Sequence, residues 1–215
     1  MIDIHTHCSP SSYPPSPAEA IAWPSMRGND SAADLLDLWF GERFFRSLDE
    51  RSWDAAARLA EMDRAAISLQ ALSPMPELLS YWLPQDAAVV LVEHVNRFIG
   101  EMVQTAPTRF AGLGAVTLQD VDAAVAQVGT LKGRHGLAGT EVGSNVNGVY
   151  LGDERFDDFW AACAEADLSV FIHGLHPLAF KACQDRSLTA FAGIPMDVAA
   201  TAAMAAGSSS SATRT

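Results

Sequence analysis

The chain has 215 residues, 49% of them hydrophobic and 19% charged, and a net charge of −12. That composition suits one sizeable globular domain, and with lysines and arginines scattered singly it excludes a nucleic-acid partner, whose phosphates would repel it. Apolar runs stay far below the roughly 20 residues of a membrane span, and Cys8, Cys163 and Cys183 are too few and too irregular for a disulfide framework.

Asp3 comes at once, with no basic segment before an apolar one, so no signal peptide is expected. The protein is read as cytoplasmic, with reduced thiols and no membrane partner.

The first element is a short strand over residues 1–7. Residues 9–52 form a long insertion after it, rich in Pro, Ser and Gly and then amphipathic in AADLLDLWFGERFF. An insertion of that length is expected to act as a lid or a substrate-facing loop. From Trp53 onward, helical and strand patterns alternate. SWDAAARLAEMDRAA places Ala55, Leu59, Met62 and Ala66 at helical spacing. A strand over 67–73 follows, then a helix with Val92, Val95, Ile99, Met102 and Ala106 on one stripe. A strand over 109–118 leads to a helix that Asp120 caps and that aligns Val121, Val125, Val128 and Leu131. After a strand over 137–143, Asp153 reads as the cap of a helix carrying Phe156, Phe159, Trp160 and Cys163. A fifth strand covers 168–174. Such alternation predicts an α/β fold with a parallel sheet and crossover helices. The ending GSSSSATRT is low in complexity and is expected to be disordered.

Within MIDIHTHC, His5 and His7 stand two residues apart and face one side of the first strand. They lie at its C-terminal end, the ligand edge of parallel α/β folds. His173 ends the fifth strand in the same way. Three neutral imidazoles from two strand ends suit one transition metal, typically zinc, which would activate a bound water and polarise a substrate oxygen. The plainer reading is a strand end with solvated histidines and a structural His173. Cys8 points to the opposite face and is left out. His176 reads as a substrate-facing or supporting residue. His94 and His135 read as surface residues. Glu141 ends the fourth strand and reads either as a substrate- or ligand-orienting group or as a capping carboxylate. No lysine stands at that strand end, so a single ion is expected rather than a carbamate-bridged pair.

DIHTH, the long block WDAAARLAEMDRAAISLQALSPMPELLSYW, and RFAGLGAV, GTEVGSNVNG, FIHGLHP and GIPMDVAATAA in that order resemble the amidohydrolase superfamily. The resemblance is to its amidohydrolase-related branch, which contains aminocarboxymuconate-semialdehyde decarboxylase. It implies a TIM (β/α)8 barrel with a metal, usually zinc, at its mouth, held here by His5, His7 and His173. It implies decarboxylation of an unsaturated or aromatic carboxylic acid without redox chemistry, and often a homodimer. An arginine before the WD block would hold the substrate carboxylate; Arg46 and Arg51 stand there, each also readable as a surface charge. A hydrolase acting on an amide or lactone would use nearly the same centre. The family's later His-Gly-Gly-Gly stretch and metal-ligand aspartate do not occur in this sequence. The expectation is therefore a partial barrel domain over 1–206, about five of eight strands, and a tail over 207–215. A C-terminally truncated chain of this kind is expected to be poorly soluble and weakly active, or to need a partner chain that completes it. A phosphoesterase of another His-x-His family is disfavoured because CSPSSYPPSP supplies no acidic residue.

Overall fold

The computed structural model describes residues 1–17 and 22–175, and within 195–203 all but 197 and 200. Strand β1 (Ile2–Cys8) is followed by β2 (Pro24–Gly28), β3 (Leu36–Phe40) and β4 (Arg43–Leu48). Then come α1 (Ala55–Arg64), β5 (Leu69–Pro74), α2 (Gln85–Thr105), β6 (Phe110–Gly114) and α3 (Val121–His135). The series continues through β7 (Gly139–Gly143), β8 (Asn145–Val146), β9 (Val149–Tyr150), α4 (Asp157–Glu165) and β10 (Ser169–His173).

Five strands form one parallel sheet in the order β1-β5-β6-β7-β10, with a helix before each strand after the first. This is the α/β arrangement of an incomplete (β/α)8 barrel. Among the described residues β1 and β10 each pair on one side only, and Met1, Ile2 and Ile4 stand 72%, 62% and 65% exposed along the first of them. No helix among the described residues is long and apolar enough to cross a membrane.

The helices follow their apolar stripes. Val92, Val95, Ile99 and Met102 of α2 are all buried, as are Val128 and Leu131 of α3 and Phe159 and Cys163 of α4. Asp54 accepts from Ala57 N at 2.8 Å and Asp120 from Ala123 N at 3.1 Å, caps worth about 1 kcal/mol each. Asp153 serves differently from expectation: it caps the short 3-10 turn Glu154–Phe156, and α4 starts only at Asp157. In α1 the inward position one turn before Met62 is taken by Arg58, buried beside it.

The amphipathic part of the insertion has a period of two. Leu38 and Phe40 point to the core, Gly41 turns the chain at φ 59°, and β2-β3-β4 pair as an antiparallel meander. Phe40 packs edge-on against Trp82, which anchors the meander over the segment leading to α2. Strand β6 is shorter than the expected 109–118. Beyond Gly114 the backbone pairs with side chains instead of a strand: Ala115 N donates to Asn96 Oδ1 at 2.7 Å, and Thr117 N to Gln127 Oε1 at 2.8 Å.

Candidate metal centre

Strand β1 carries one extra residue against β5 between Asp3 and Thr6, a bulge that lies at His5. Bulges re-aim side chains beside functional sites. Here the imidazoles of His5 and His7 come to 3.2 Å between their Nε2 atoms, with rings at right angles and centroids 5.0 Å apart. From the far side of the sheet His173 closes the group, its ring 5.1 Å from that of His5 and 5.0 Å from that of His7. One ligand atom from each of the three lies within 4.8 Å of the others.

The tautomers are fixed from behind. His7 Nδ1 lies 3.0 Å from Pro74 O, and His173 Nδ1 lies 2.8 Å from Gly174 O. A carbonyl only accepts, so each Nδ1 carries the proton and each Nε2 keeps its lone pair. Burial, with His173 adding to it, lowers the His7 pKa to about 4, against the opposing bond to Pro74. Burial likewise lowers that of His173. Both rings are therefore neutral at neutral pH, the form that ligates metal. His173 is held in place by its neighbours: Ser144 N donates to His173 O at 2.7 Å, and Asn145 Nδ2 donates to Leu175 O at 2.6 Å.

Glu141, on β7 opposite Phe171, is wholly buried, and neither carboxylate oxygen has a hydrogen-bond partner. Its Oε2 lies 3.7 Å from His7 Nδ1. Burial pushes its pKa up to about 8; the nearby Ser73 hydroxyl, which donates to Thr6 O, offsets only part of the rise. In chelator-treated protein this has a readable consequence. The unfolded carboxyl titrates near 4.3, so between about 4.3 and 8 the folded chain holds a proton that the unfolded chain has lost. Stability relative to a Glu141→Gln variant should fall by about 1.4 kcal/mol per pH unit across that window and level off above it. Denaturant unfolding of both proteins at pH 6 and pH 8 checks this; equal slopes contradict it. Comparison with the variant cancels His7 and His173, which favour folding above 6.5 and lose that contribution as pH falls.

The other expected residues fall in different places. Arg46 stands exposed on β4 with its guanidinium 5.0 Å over the Phe45 ring, and it makes no close ion pair among the described residues. Its charge reaches both His7 and the Glu77 carboxyl, acting to lower the pKa of each. Arg51 is not brought to the histidines. It is bound through two donors to Asp49 and lies 3.7 Å from Glu61 of α1, a surface cluster. His176 and the tail over 207–215 lie outside the described residues. Cys8 is buried with its Sγ 3.4 Å from Ser73 O, away from the imidazole group. His135 is a correction to the surface reading. It is 5% exposed, with Nε2 3.2 Å from Glu93 Oε2, because Gly100 on α2 lets the end of α3 approach closely. His94 is half-buried and bonds Ser12 O at 2.9 Å, tying the start of the insertion to α2.

A protein-family model described as Amidohydrolase matches residues 2–208. The 2-amino-3-carboxymuconate-6-semialdehyde decarboxylase of Dictyostelium discoideum is 30% identical over 174 residues, covering 80% of this chain and 48% of that protein. The crystal structure of 5-carboxyvanillate decarboxylase from Sphingomonas paucimobilis superposes with a TM-score of 0.66 at 26% identity, covering 72% of this chain and 47% of that one. The corresponding enzyme of Novosphingobium aromaticivorans, with bound manganese and a nitrobenzoic acid, gives 0.59 at 27% identity, covering 67% of this chain and 41% of that one. The chain thus spans about half the length of the relatives it matches.

Proposed function

Because the chain belongs to the amidohydrolase family, we propose that His5, His7 and His173 hold one divalent metal ion in a centre for decarboxylating an unsaturated or aromatic carboxylic acid. The observation that carries this is the convergence of three imidazole ligand atoms within 4.8 Å of one another. The relatives named above are decarboxylases, two of them of an aromatic acid. The residues fit a cation on a second count. Glu141 is a buried carboxyl with no hydrogen bond, held protonated near neutral pH by its burial, and a positive ion on His7 would favour its ionised form. Zinc is our choice of ion, since three imidazoles with an open fourth position are a usual catalytic zinc set.

When bound, the ion supplies a Lewis acid that polarises a substrate oxygen. The chain's own groups do the rest of the binding. Arg46, exposed on β4 and in no ion pair among the described residues, receives a substrate carboxylate by paired N–H donors. Phe171, 5.0 Å from the His5 ring, offers an apolar wall for a flat substrate. Glu141 steadies His7 and the substrate end of the site from below. The partner is a small carboxylic acid and, by family resemblance, a second copy in a homodimer.

Binding of γ-resorcylate, the aromatic acid for which a decarboxylase of Rhodococcus jostii 27% identical to this chain over 159 residues is named, followed by tryptophan fluorescence with and without zinc, tests this. Zinc-dependent binding that weakens about tenfold in Arg46→Met is expected, the loss of a charge-assisted pair. Equal binding without metal contradicts it. Carbon dioxide release from the same samples, set against hydrolysis of a lactone or amide, separates decarboxylase from hydrolase.

A further inference from the structure

Arg58 is a guanidinium 8% exposed with no carboxylate within ion-pair distance among the described residues. A cation in that position is costly unless every donor is used. Its Nη2 donates to the backbone carbonyl of His7 at 2.8 Å, its Nε to the carbonyl of Arg51 at 2.7 Å, and its Nη1 reaches Gln70 Oε1 at 3.4 Å. The first carbonyl belongs to a proposed metal ligand. The second belongs to the short turn Glu50–Ser52, which directly follows the meander strand carrying Arg46. A parallel strap runs beside it, Ser9 N donating to Ser52 O at 3.0 Å. One planar fork on α1 therefore ties the ligand strand to the base of the substrate-arginine hairpin.

We infer that Arg58 is a positioning residue that sets the span between the metal held through His7 and the carboxylate anchor Arg46. The inference rests on the proposed roles of His7 and Arg46. Lysine at 58 keeps the charge but offers one compact ammonium, which cannot hold two carbonyls in the geometry of the fork.

The test uses the full chain, zinc affinity by competition with a chromophoric chelator, and γ-resorcylate affinity of the zinc-loaded form. Arg58→Lys is expected to weaken zinc binding about tenfold, the usual scale for groups that orient ligands. It should also weaken γ-resorcylate binding. In a cycle with Arg46→Met, the second penalty should largely vanish once Arg46 is gone, while the zinc penalty persists. A general packing defect would instead weaken γ-resorcylate binding equally with or without Arg46, and that result overturns the inference. Arg58→Gln, which removes the buried charge and keeps an amide donor, carries the same comparison if the lysine variant fails to fold. A wild-type chain that binds no zinc overturns the metal reading and this inference with it. Wild-type binding with unchanged Arg58 variants overturns the clamp alone.

Discussion

His173→Ala is expected to abolish stoichiometric zinc binding, lowering affinity on the order of 100-fold or more, beyond the 10–100-fold scale of residues that only orient ligands. His5 and His7 come from one strand, and two adjacent imidazoles form an ordinary weak chelate. The third, from β10, converts them into a closed set. The substitution removes a ring that is already partly solvated and leaves the ladder of β10 on β7 intact. Fold and metal affinity should therefore separate: circular dichroism stays as in the wild type while chelator competition shows the loss. His94→Ala is the control, because its ring serves Ser12 O and not the centre. Retention of one tightly bound zinc by His173→Ala contradicts the assignment.

Gly139→Ala is expected to destabilise the chain by about 3 kcal/mol, at the upper end of overpacking costs. A Cβ at 139 would overlap the backbone oxygen of Ser169 and come within 2.9 Å of the Leu113 side chain. Backbone cannot rotate away as a flexible side chain can. Ser169 is paired with Gly139 at the start of the β7–β10 ladder, four residues before His173. The added methyl should push β10 outward and lower zinc affinity together with stability. Gly129→Ala on α3 meets nothing within 4 Å and should instead gain about 0.5–1 kcal/mol from helix propensity. Urea unfolding of the three proteins checks both signs; a Gly139→Ala chain as stable as the wild type contradicts the close packing of β7 on β10.

The five strands of the sheet were legible because helical and strand periods alternate along the chain and a local cap, Asp120, marks the start of α3. The histidine pair was legible for the same reason, since alternation along a strand is a local rule. What depends on contacts across the chain was not. The β1 bulge arises from pairing with β5 and leaves no mark in DIHTH. Arg58 reads as a surface residue by type, and only its register with Met62 hints that it turns inward. Arg46 and Arg51 are equivalent on paper; Asp49 and Glu61, which both pair with Arg51, separate them. The same holds for Glu141, whose complete burial depends on strands contributed from both sides of it.

X-ray absorption at the zinc edge of the purified, zinc-loaded chain bears most directly on the three-histidine centre. One ion per chain with three imidazole nitrogens at about 2.0–2.1 Å is the predicted result. A chain that retains no zinc, or one whose first coordination shell contains cysteine sulfur, would contradict it.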